Sequence, residues 1–97
     1  MARFDYHRVR QTYLVDCQAD AFRHLTTRVV VPLLPPTEVP PALKRLHPVL
    51  EIGGRDLVFA SHLITAVPVR DLGPCMGNLS DHGYEIVAAI DMLITGV

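Results

Sequence analysis

The sequence predicts an α+β fold, in which a mainly antiparallel β-sheet is followed by one major helix at the carboxyl terminus. Three observations support this prediction. Short β-branched or alternating apolar segments, separated by turn residues, occupy residues 3–69. The pair Gly53-Gly54 separates two of these segments. Residues 79–97 instead carry apolar side chains at helical spacing.

A β-hairpin is predicted at the amino terminus. Residues 3–7 and 12–17 have strand character, the second with an alternation of roughly two residues, and the polar residues 8–11 favour a turn between them. Residues 19–27 follow as a loop of turn-like or helical character, and the pattern does not decide whether Phe22 is buried there. The chain therefore begins with two antiparallel strands.

A strand near the centre of the sheet is predicted at residues 28–33, because strands buried on both faces are nearly continuous apolar runs. Pro32 has no N–H to donate, so it predicts an edge, a bulge or the end of the strand at this point. Residues 35–41 contain four prolines and favour a semi-rigid connector over a proline-rich ligand for another domain.

The clearest hairpin surrounds Gly53-Gly54, since two glycines supply the positive φ angles that a tight primed turn requires. The strands that flank this turn are predicted at residues 49–52 and 57–60. A single turn is expected at residues 61–64, and the last strand is expected at residues 66–69.

Residues 71–74 then break the chain ahead of the carboxyl-terminal helix, which is predicted from Leu79 to Val97. Ser80 is expected to be its N-cap, and Gly96 is suited to its C-cap. The residues expected to face the core are Ile86, Ala89, Ile90 and Leu93. An ordered, partly apolar terminus of this kind is expected either to pack on the sheet or to form part of a binding surface.

Length and composition narrow the range of functions. Residues 1–97 fit one domain, and a hydrophobic content of 49% in so short a chain indicates that some apolar surface is buried in an interface. No apolar run has the length of a membrane helix, and no signal peptide is apparent, so a cytoplasmic location and no membrane contact are expected. A net charge of −1 argues against nucleic-acid binding as the primary role.

No catalytic or metal centre is apparent in the sequence. Cys17 and Cys75 are expected to be incidental or structural thiols, and the five histidines have no metal-ligand spacing, so neither a metal nor a cofactor is expected. Ser61 and His62 are adjacent, which does not establish a catalytic arrangement. The isolated carboxylates, expected to be solvated surface charges, are Asp5, Asp16, Asp20, Asp56, Asp71, Asp81 and Asp91.

Five segments, taken in order, resemble the CcdB toxin family. None is specific alone, but their order and spacing match the family over residues 3–97. The segments are Tyr13 to Asp20, Arg28 to Leu33, His47 to Gly53, Val67 to Val69 and Ala89 to Val97.

The resemblance implies a five-stranded antiparallel sheet, a smaller three-stranded sheet and a carboxyl-terminal helix, related to the SH3-like barrels of MazF toxins. It implies a homodimeric, non-enzymatic toxin of a type II toxin–antitoxin pair that serves plasmid maintenance. Such a toxin binds the GyrA subunits of DNA gyrase and traps the enzyme on cleaved DNA. A CcdA-like antitoxin neutralises it, and operator DNA is bound, for transcription repression, only through the complex of the two proteins.

The resemblance also implies the gyrase-binding residues. The family uses the last three residues, neighbours on the helix and the loop after the second strand. At these positions the chain has Thr95, Gly96, Val97, Asp91, Ile94, Ala21 and Phe22. Thr95 departs from the best-known family pattern, which has a tryptophan that stacks on an arginine of GyrA.

The missing aromatic side chain leaves alternatives open. Gyrase binding can rely on aliphatic residues that flank Thr95, or the chain can recognise a different gyrase. A further alternative is a toxin-derived binding protein that no longer poisons gyrase and still binds an antitoxin. The least favoured alternative is a ribonuclease of the MazF type, for which no catalytic cluster is apparent.

Overall fold

The structure is a computed structural model that describes residues 2–39 and 43–97. Within these ranges the chain forms seven β-strands and one α-helix: β1 (Asp5–Val9), β2 (Thr12–Asp16), β3 (Thr27–Leu34), β4 (Val49–Ile52), β5 (Arg55–Phe59), β6 (Thr65–Pro68), β7 (Cys75–Asn78) and α1 (Gly83–Thr95). Short 3₁₀ turns lie at Asp20–Phe22, Ser61–Leu63, Val69–Asp71 and Ser80–His82. None of the described helices combines the length and apolar character needed to cross a membrane.

The strands form one continuous antiparallel sheet in which β3 belongs to two groups. Strands β6, β3, β2, β1 and β7 make a five-stranded group, and β4, β5 and β3 make a three-stranded group. Two groups can share β3 because its first half pairs with β6 while its last residues pair with β5. The predicted combination of a five-stranded and a three-stranded sheet with one helix is confirmed.

Both predicted hairpins are present, with shifted boundaries. β1 and β2 pair from Tyr6 opposite Val15 to Val9 opposite Thr12, so the first turn is shorter than predicted. In the second hairpin Gly53 and Gly54 have φ angles of +59° and +81°, as the primed turn requires. The turn thus depends on a conformation that residues with a Cβ rarely adopt.

Pro32 lies inside β3, so the expected edge, bulge or strand end at this residue is wrong. The carbonyl of Pro32 accepts a hydrogen bond from the N–H of Ala60 at 3.0 Å, on the side of β3 that faces β5 and β6. The partner strand changes there from β6 to β5, so no donor is needed from the proline. In the proline-rich connector a turn is described at residues 36–38, whereas Pro40 and Pro41 lie outside the described residues.

β7 (Cys75–Asn78) is a strand that the sequence did not predict. Gly and Asn are poor strand formers, and β7 pairs with β1 at the end of the strand order. A Cβ at Gly77 would lie 2.8 Å from the ring of Tyr6, so the glycine allows β7 to approach β1 closely. Pairing with β1, rather than local propensity, therefore places this strand.

The helix begins later than predicted. Ser80 makes no side-chain cap hydrogen bond; its backbone N–H instead donates to Oδ1 of Asn78 at 2.8 Å, and a 3₁₀ turn precedes α1. The expected N-cap is therefore wrong. Gly96 is the C-cap as predicted, with φ of +79° and its N–H donating to the carbonyl of Met92 at 2.9 Å.

The core lies between α1 and the sheet. Ile86 and Ala89 are fully buried, whereas Ile90 is half-buried and packs against the same cluster. The predicted stripe is thus confirmed in its first half, and Leu93 is half-buried near the helix end. The other buried members of the cluster are Val15, Val31, Leu33, Leu50, Ile52, Leu57, Phe59 and Leu79.

Asp16 is fully buried, so its expected role as a solvated surface charge is wrong. Its Oδ2 accepts a hydrogen bond from Nε of the equally buried Arg28 at 2.8 Å, and Nη2 of Arg28 lies 2.7 Å from the same oxygen. Its Oδ1 accepts the backbone N–H of Gln18 at 3.0 Å. Asp5 is half-buried, and the other aspartates singled out by the sequence are exposed.

Replacing Asp16 with alanine is expected to destabilise the fold by about 3–5 kcal/mol, because Arg28 would keep a buried positive charge with no compensating carboxylate. Urea unfolding of the variant and the parent chain measures the difference. Asp56→Ala, at an exposed strand position, is the matched control and should change stability by less than about 0.5 kcal/mol. Equal small losses in both variants would contradict the assignment of Asp16 as a structural residue.

Candidate partner-binding surface

The end of α1 and the residues after it form an exposed, partly apolar surface, which we call the helix tail (residues 91–97). Ile94 is 71% exposed and Val97 is 72% exposed, and Asp91, Thr95 and Gly96 are exposed as well. Large apolar side chains with so much exposure favour contact with a partner over packing in the chain's own core. The structure thus brings the five predicted binding residues of the carboxyl terminus together at one end of the helix.

Thr95 fixes the conformation of the tail. Its Oγ1 donates to the carbonyl oxygen of Asp91 at 2.7 Å and accepts the backbone N–H of Val97 at 3.3 Å. The hydroxyl group thereby satisfies a donor beyond the end of the helix, where intrahelical partners are lacking. Thr95 consequently acts as a local clasp that holds the last residue against the helix.

Ala21 and Phe22 lie on a different element, the 3₁₀ turn that follows β2. Ala21 is exposed and Phe22 is 53% exposed. The turn is held from inside by Gln18, whose Nε2 donates to the carbonyl of Phe22 at 2.8 Å and whose Oε1 accepts the N–H of Val29 at 3.0 Å. Phe22 is therefore presented to solvent by a buried amide, which answers the question that the sequence left open.

A concave region lies between the start of α1 and the loop before β4. This cavity of about 840 Å³ is lined by residues that include Lys44, Arg45, Tyr84 and Glu85. His47 borders it and is buried, with Nε2 2.9 Å from Nδ1 of the exposed His62. Burial, together with the proximity of His62, lowers the pKa of His47 below its ordinary value.

Ser61 and His62 do not form a catalytic pair. Ser61 is fully buried, and its hydroxyl donates to the carbonyl oxygen of Leu46. His62 is directed to His47 instead. The hydroxyl of Ser61 therefore supports the loop before β4 and is not available as a nucleophile.

Asp5, His7 and Cys75 are brought together by β1 and β7, and each offers one ligand atom within 4.8 Å of the others. Asp5 accepts hydrogen bonds from Nδ2 of Asn78 at 2.8 Å and from the N–H of Ala2 at 2.9 Å. Burial acts to raise the pKa of Asp5, but these hydrogen bonds and the nearby His7 outweigh it, so the pKa is lowered. These three residues are the described set that could hold a metal ion, and no sequence motif joins them.

The thiols of Cys17 and Cys75 differ in their burial. Burial, reinforced by the carboxylate of Asp16, raises the pKa of Cys17 to about 12, which keeps this thiol protonated and unreactive. Cys17 packs against the core cluster, in agreement with a structural role. Cys75, by contrast, is exposed on β7.

Comparison with known proteins gives a family match for the sequence and a similarity of fold to solved structures. A family model described as CcdB protein matches residues 3–96 of the chain. Among solved structures, the chain is similar to the "Mycobacterium tuberculosis toxin MazF-mt6", with a TM-score of 0.76 and 18% sequence identity over 93% of this chain and 95% of that chain. No curated protein matches the sequence.

The sheet of seven described strands, closed by one carboxyl-terminal helix, is therefore an architecture shared with a MazF toxin. The family match is more specific, because it extends over nearly the whole chain. The chain belongs to the CcdB family and is a toxin of a toxin–antitoxin system. Membership implies an antitoxin as its partner.

Replacing Thr95 with valine should loosen the tail, because the variant keeps the shape of threonine but loses the hydroxyl that bonds Asp91 and Val97. The ¹⁵N relaxation order parameter of Val97 is expected to fall to below about 0.6, the range of flexible backbone. Thr95→Ser keeps the hydroxyl and serves as the control. An unchanged order parameter in the valine variant would show that the clasp does not order the tail.

The stability of the fold should decrease as the pH falls below about 6.5, the ordinary pKa of histidine. Between that value and the lowered pKa of His47, the unfolded chain binds a proton that the folded chain resists, so acidification favours unfolding. Urea midpoints across this window measure the slope. His47→Gln should flatten it, whereas His24→Gln, at an exposed position, should not; equal slopes in all three proteins would contradict this origin.

Proposed function

We propose that this toxin acts by binding the GyrA subunits of DNA gyrase through the helix tail and trapping the enzyme on cleaved DNA. The observation that carries the proposal is the exposure of Ile94 and Val97 at an ordered helix end. Family membership and the position of the tail support it together. The proposed surface comprises the tail residues and, on the 3₁₀ turn, Ala21 and Phe22.

Pre-organisation is the physical basis of this surface. A flexible terminus loses conformational freedom when it binds, whereas a tail already held by Thr95 and Gly96 has given up part of that freedom in the free protein. The apolar area of Ile94 and Val97 then contributes at roughly 25 cal/mol per Å² removed from water. Binding therefore draws on aliphatic contacts, and Thr95 contributes mainly by shaping the tail.

Without the tryptophan, the expected affinity for GyrA is lower, but the exposed apolar surface of the helix tail remains. An aromatic anchor contributes about 2 kcal/mol or more at an interface hot spot, a contribution that threonine cannot supply. Phe22 is an exposed aromatic side chain in the proposed surface and is therefore a candidate for part of that role. The outcome is a toxin whose preference among bacterial gyrases differs from that of tryptophan-bearing members of the family.

The remaining parts of the proposal follow from the toxin–antitoxin class. Residues 1–97 act as one cytoplasmic toxin domain and form a homodimer, which places two helix tails against a twofold-symmetric target. A CcdA-like antitoxin releases the toxin from gyrase. The complex of toxin and antitoxin binds operator DNA and represses transcription, and the pair serves plasmid maintenance.

Two alternative activities are compatible with membership of the CcdB family. In one, the chain binds its antitoxin but does not poison gyrase, and the replacement at Thr95 motivates it. In the other, the chain cleaves RNA, and the fold shared with a MazF toxin motivates it. Two contacts argue against RNA cleavage. Arg28 is held in a buried ion pair and the hydroxyl of Ser61 donates to a backbone carbonyl, so neither side chain is available to a reactive site.

A gyrase cleavage assay tests the proposal. Purified protein is incubated with gyrase, supercoiled plasmid and ATP, and linear DNA is measured after denaturation. The full chain should accumulate linear DNA, and deletion of Thr95 to Val97 or Gly96→Glu should abolish it, because both changes remove or block the tail. Addition of the antitoxin should reverse the effect of the full chain.

Tyr84→Ser is the matched control, since Tyr84 is 89% exposed on the same helix but lies at its other end. It should retain cleavage trapping. Circular dichroism and sedimentation should show that every variant keeps the fold and the same oligomeric state. Trapping by the truncated protein would refute the tail as the binding surface, and no trapping with gyrases from several bacteria would support binding without poisoning. RNA cleavage by the pure protein would favour the ribonuclease alternative.

A further inference from the structure

A second polar site lies on the sheet, on strands other than those of the proposed gyrase surface. Asp5 and His7 are two residues apart on β1 and therefore project from the same face. On β7 the register shifts between the partners of Tyr6 and His7, so that Cys75, and not Met76, lies opposite His7. This bulge places a thiol beside an imidazole and a carboxylate, which is a recurrent use of β-bulges near functional sites.

The state of His7 points to a ligand. Its Nδ1 lies 3.1 Å from the carbonyl oxygen of Gly73, and because a carbonyl only accepts, Nδ1 carries the hydrogen. In the neutral imidazole Nε2 then has a free lone pair, and this atom has no hydrogen-bond partner among the described residues although the side chain is only 4% exposed. An imidazole whose other nitrogen is held by a backbone carbonyl is the arrangement found in metal-bound histidines.

The other two side chains can complete the coordination. Each carboxylate oxygen of Asp5 accepts one hydrogen bond, from Asn78 or from Ala2, and keeps a second lone pair. The exposed Cys75 makes one weak contact, at 3.5 Å to the carbonyl of Gly77, which its thiolate can give up. The ligand atoms of the three residues already lie within 4.8 Å of one another, so small side-chain rotations bring them to one ion.

We propose that Asp5, His7 and Cys75 bind a divalent transition-metal ion, for which Zn²⁺ is the best match, and that the ion clamps strand β7 to β1. A thiolate together with an imidazole disfavours Mg²⁺ and Ca²⁺, which prefer oxygen ligands. Zn²⁺ accepts mixed nitrogen, oxygen and sulfur ligands, and the exposed side of Cys75 leaves access for a water molecule as a fourth ligand.

The site also accounts for structural features that the proposed toxin activity does not require. Gly73 holds His7 from close range, since a Cβ at this glycine would lie 1.9 Å from the carbonyl oxygen of Arg8. The short strand β7 has poor intrinsic strand propensity and gains a cross-link to its neighbour. Metal binding therefore stabilises the part of the sheet that leads into α1.

Calorimetric titration of the metal-free full chain with Zn²⁺, and absorption spectroscopy with Co²⁺, test the proposal. One ion per chain is expected to bind, and the Co²⁺ form should show a thiolate-to-metal charge-transfer band. Zn²⁺ at a hundredfold excess over its Kd should raise the melting temperature by at least about 10 °C. Bound Zn²⁺ should also protect Cys75 from alkylation.

Cys75→Ser and Asp5→Asn should each weaken Zn²⁺ binding by at least about tenfold, and Cys75→Ser should remove the charge-transfer band. Because Cys75 is exposed, its variant is expected to fold, which circular dichroism verifies. Cys17→Ala is the matched control for the other thiol and should bind as the parent does. Absence of Zn²⁺ binding, unchanged affinity in Cys75→Ser, or loss of binding in Cys17→Ala would each overturn the assignment.

Discussion

The buried ion pair between Asp16 and Arg28 is the constraint on which most of this fold depends. It joins β2 to β3, and both side chains are shielded completely from water. A charge in such a place is stable only with a partner, and Asp16 is that partner through Nε and Nη2 of Arg28, whereas Nη1 has no hydrogen-bond partner among the described residues. The register of β2 against β3 is thereby fixed, since a slip of one residue would move the side chain of Asp16 to the opposite face of the sheet, away from Arg28.

Each residue of this pair is connected to a further part of the structure, Asp16 to the turn after β2 and Arg28 to strand β3. Oδ1 of Asp16 orients Gln18, and Gln18 in turn holds the carbonyl of Phe22, so a buried polar network positions an exposed turn. Strand β3, which carries Arg28, pairs with β6 in its first half and with β5 at its end. Pro32 lies where the partner changes, so its missing N–H is tolerated. The exposed turn that carries Phe22 and the buried ion pair are thus parts of one hydrogen-bond network.

The sequence predicted the elements whose signals are local. Gly53-Gly54 defined a turn by its φ angles, and the stripe containing Ile86 and Ala89 defined the core face of the helix. It did not predict the burial of Asp16. An aspartate in an alternating strand gives the same sequence pattern whether its carboxylate is solvated or paired with an arginine twelve residues away. Strand β7 was missed for a related reason: its place is determined by β1, from which it is separated by most of the chain.

The candidate sites differ in how much of them the sequence could reveal. The helix tail consists of consecutive residues, so the resemblance to the family carried its positions directly, but the role of Thr95 as a clasp depends on rotamers and hydrogen bonds. The set of Asp5, His7 and Cys75 has no spacing signal, since it is assembled by a strand pairing and a bulge. The two sites also differ in chemistry, because the tail exposes apolar area whereas Asp5, His7 and Cys75 bring oxygen, nitrogen and sulfur atoms together. The exposed apolar tail and the polar set between β1 and β7 therefore lie on separate elements of one small fold.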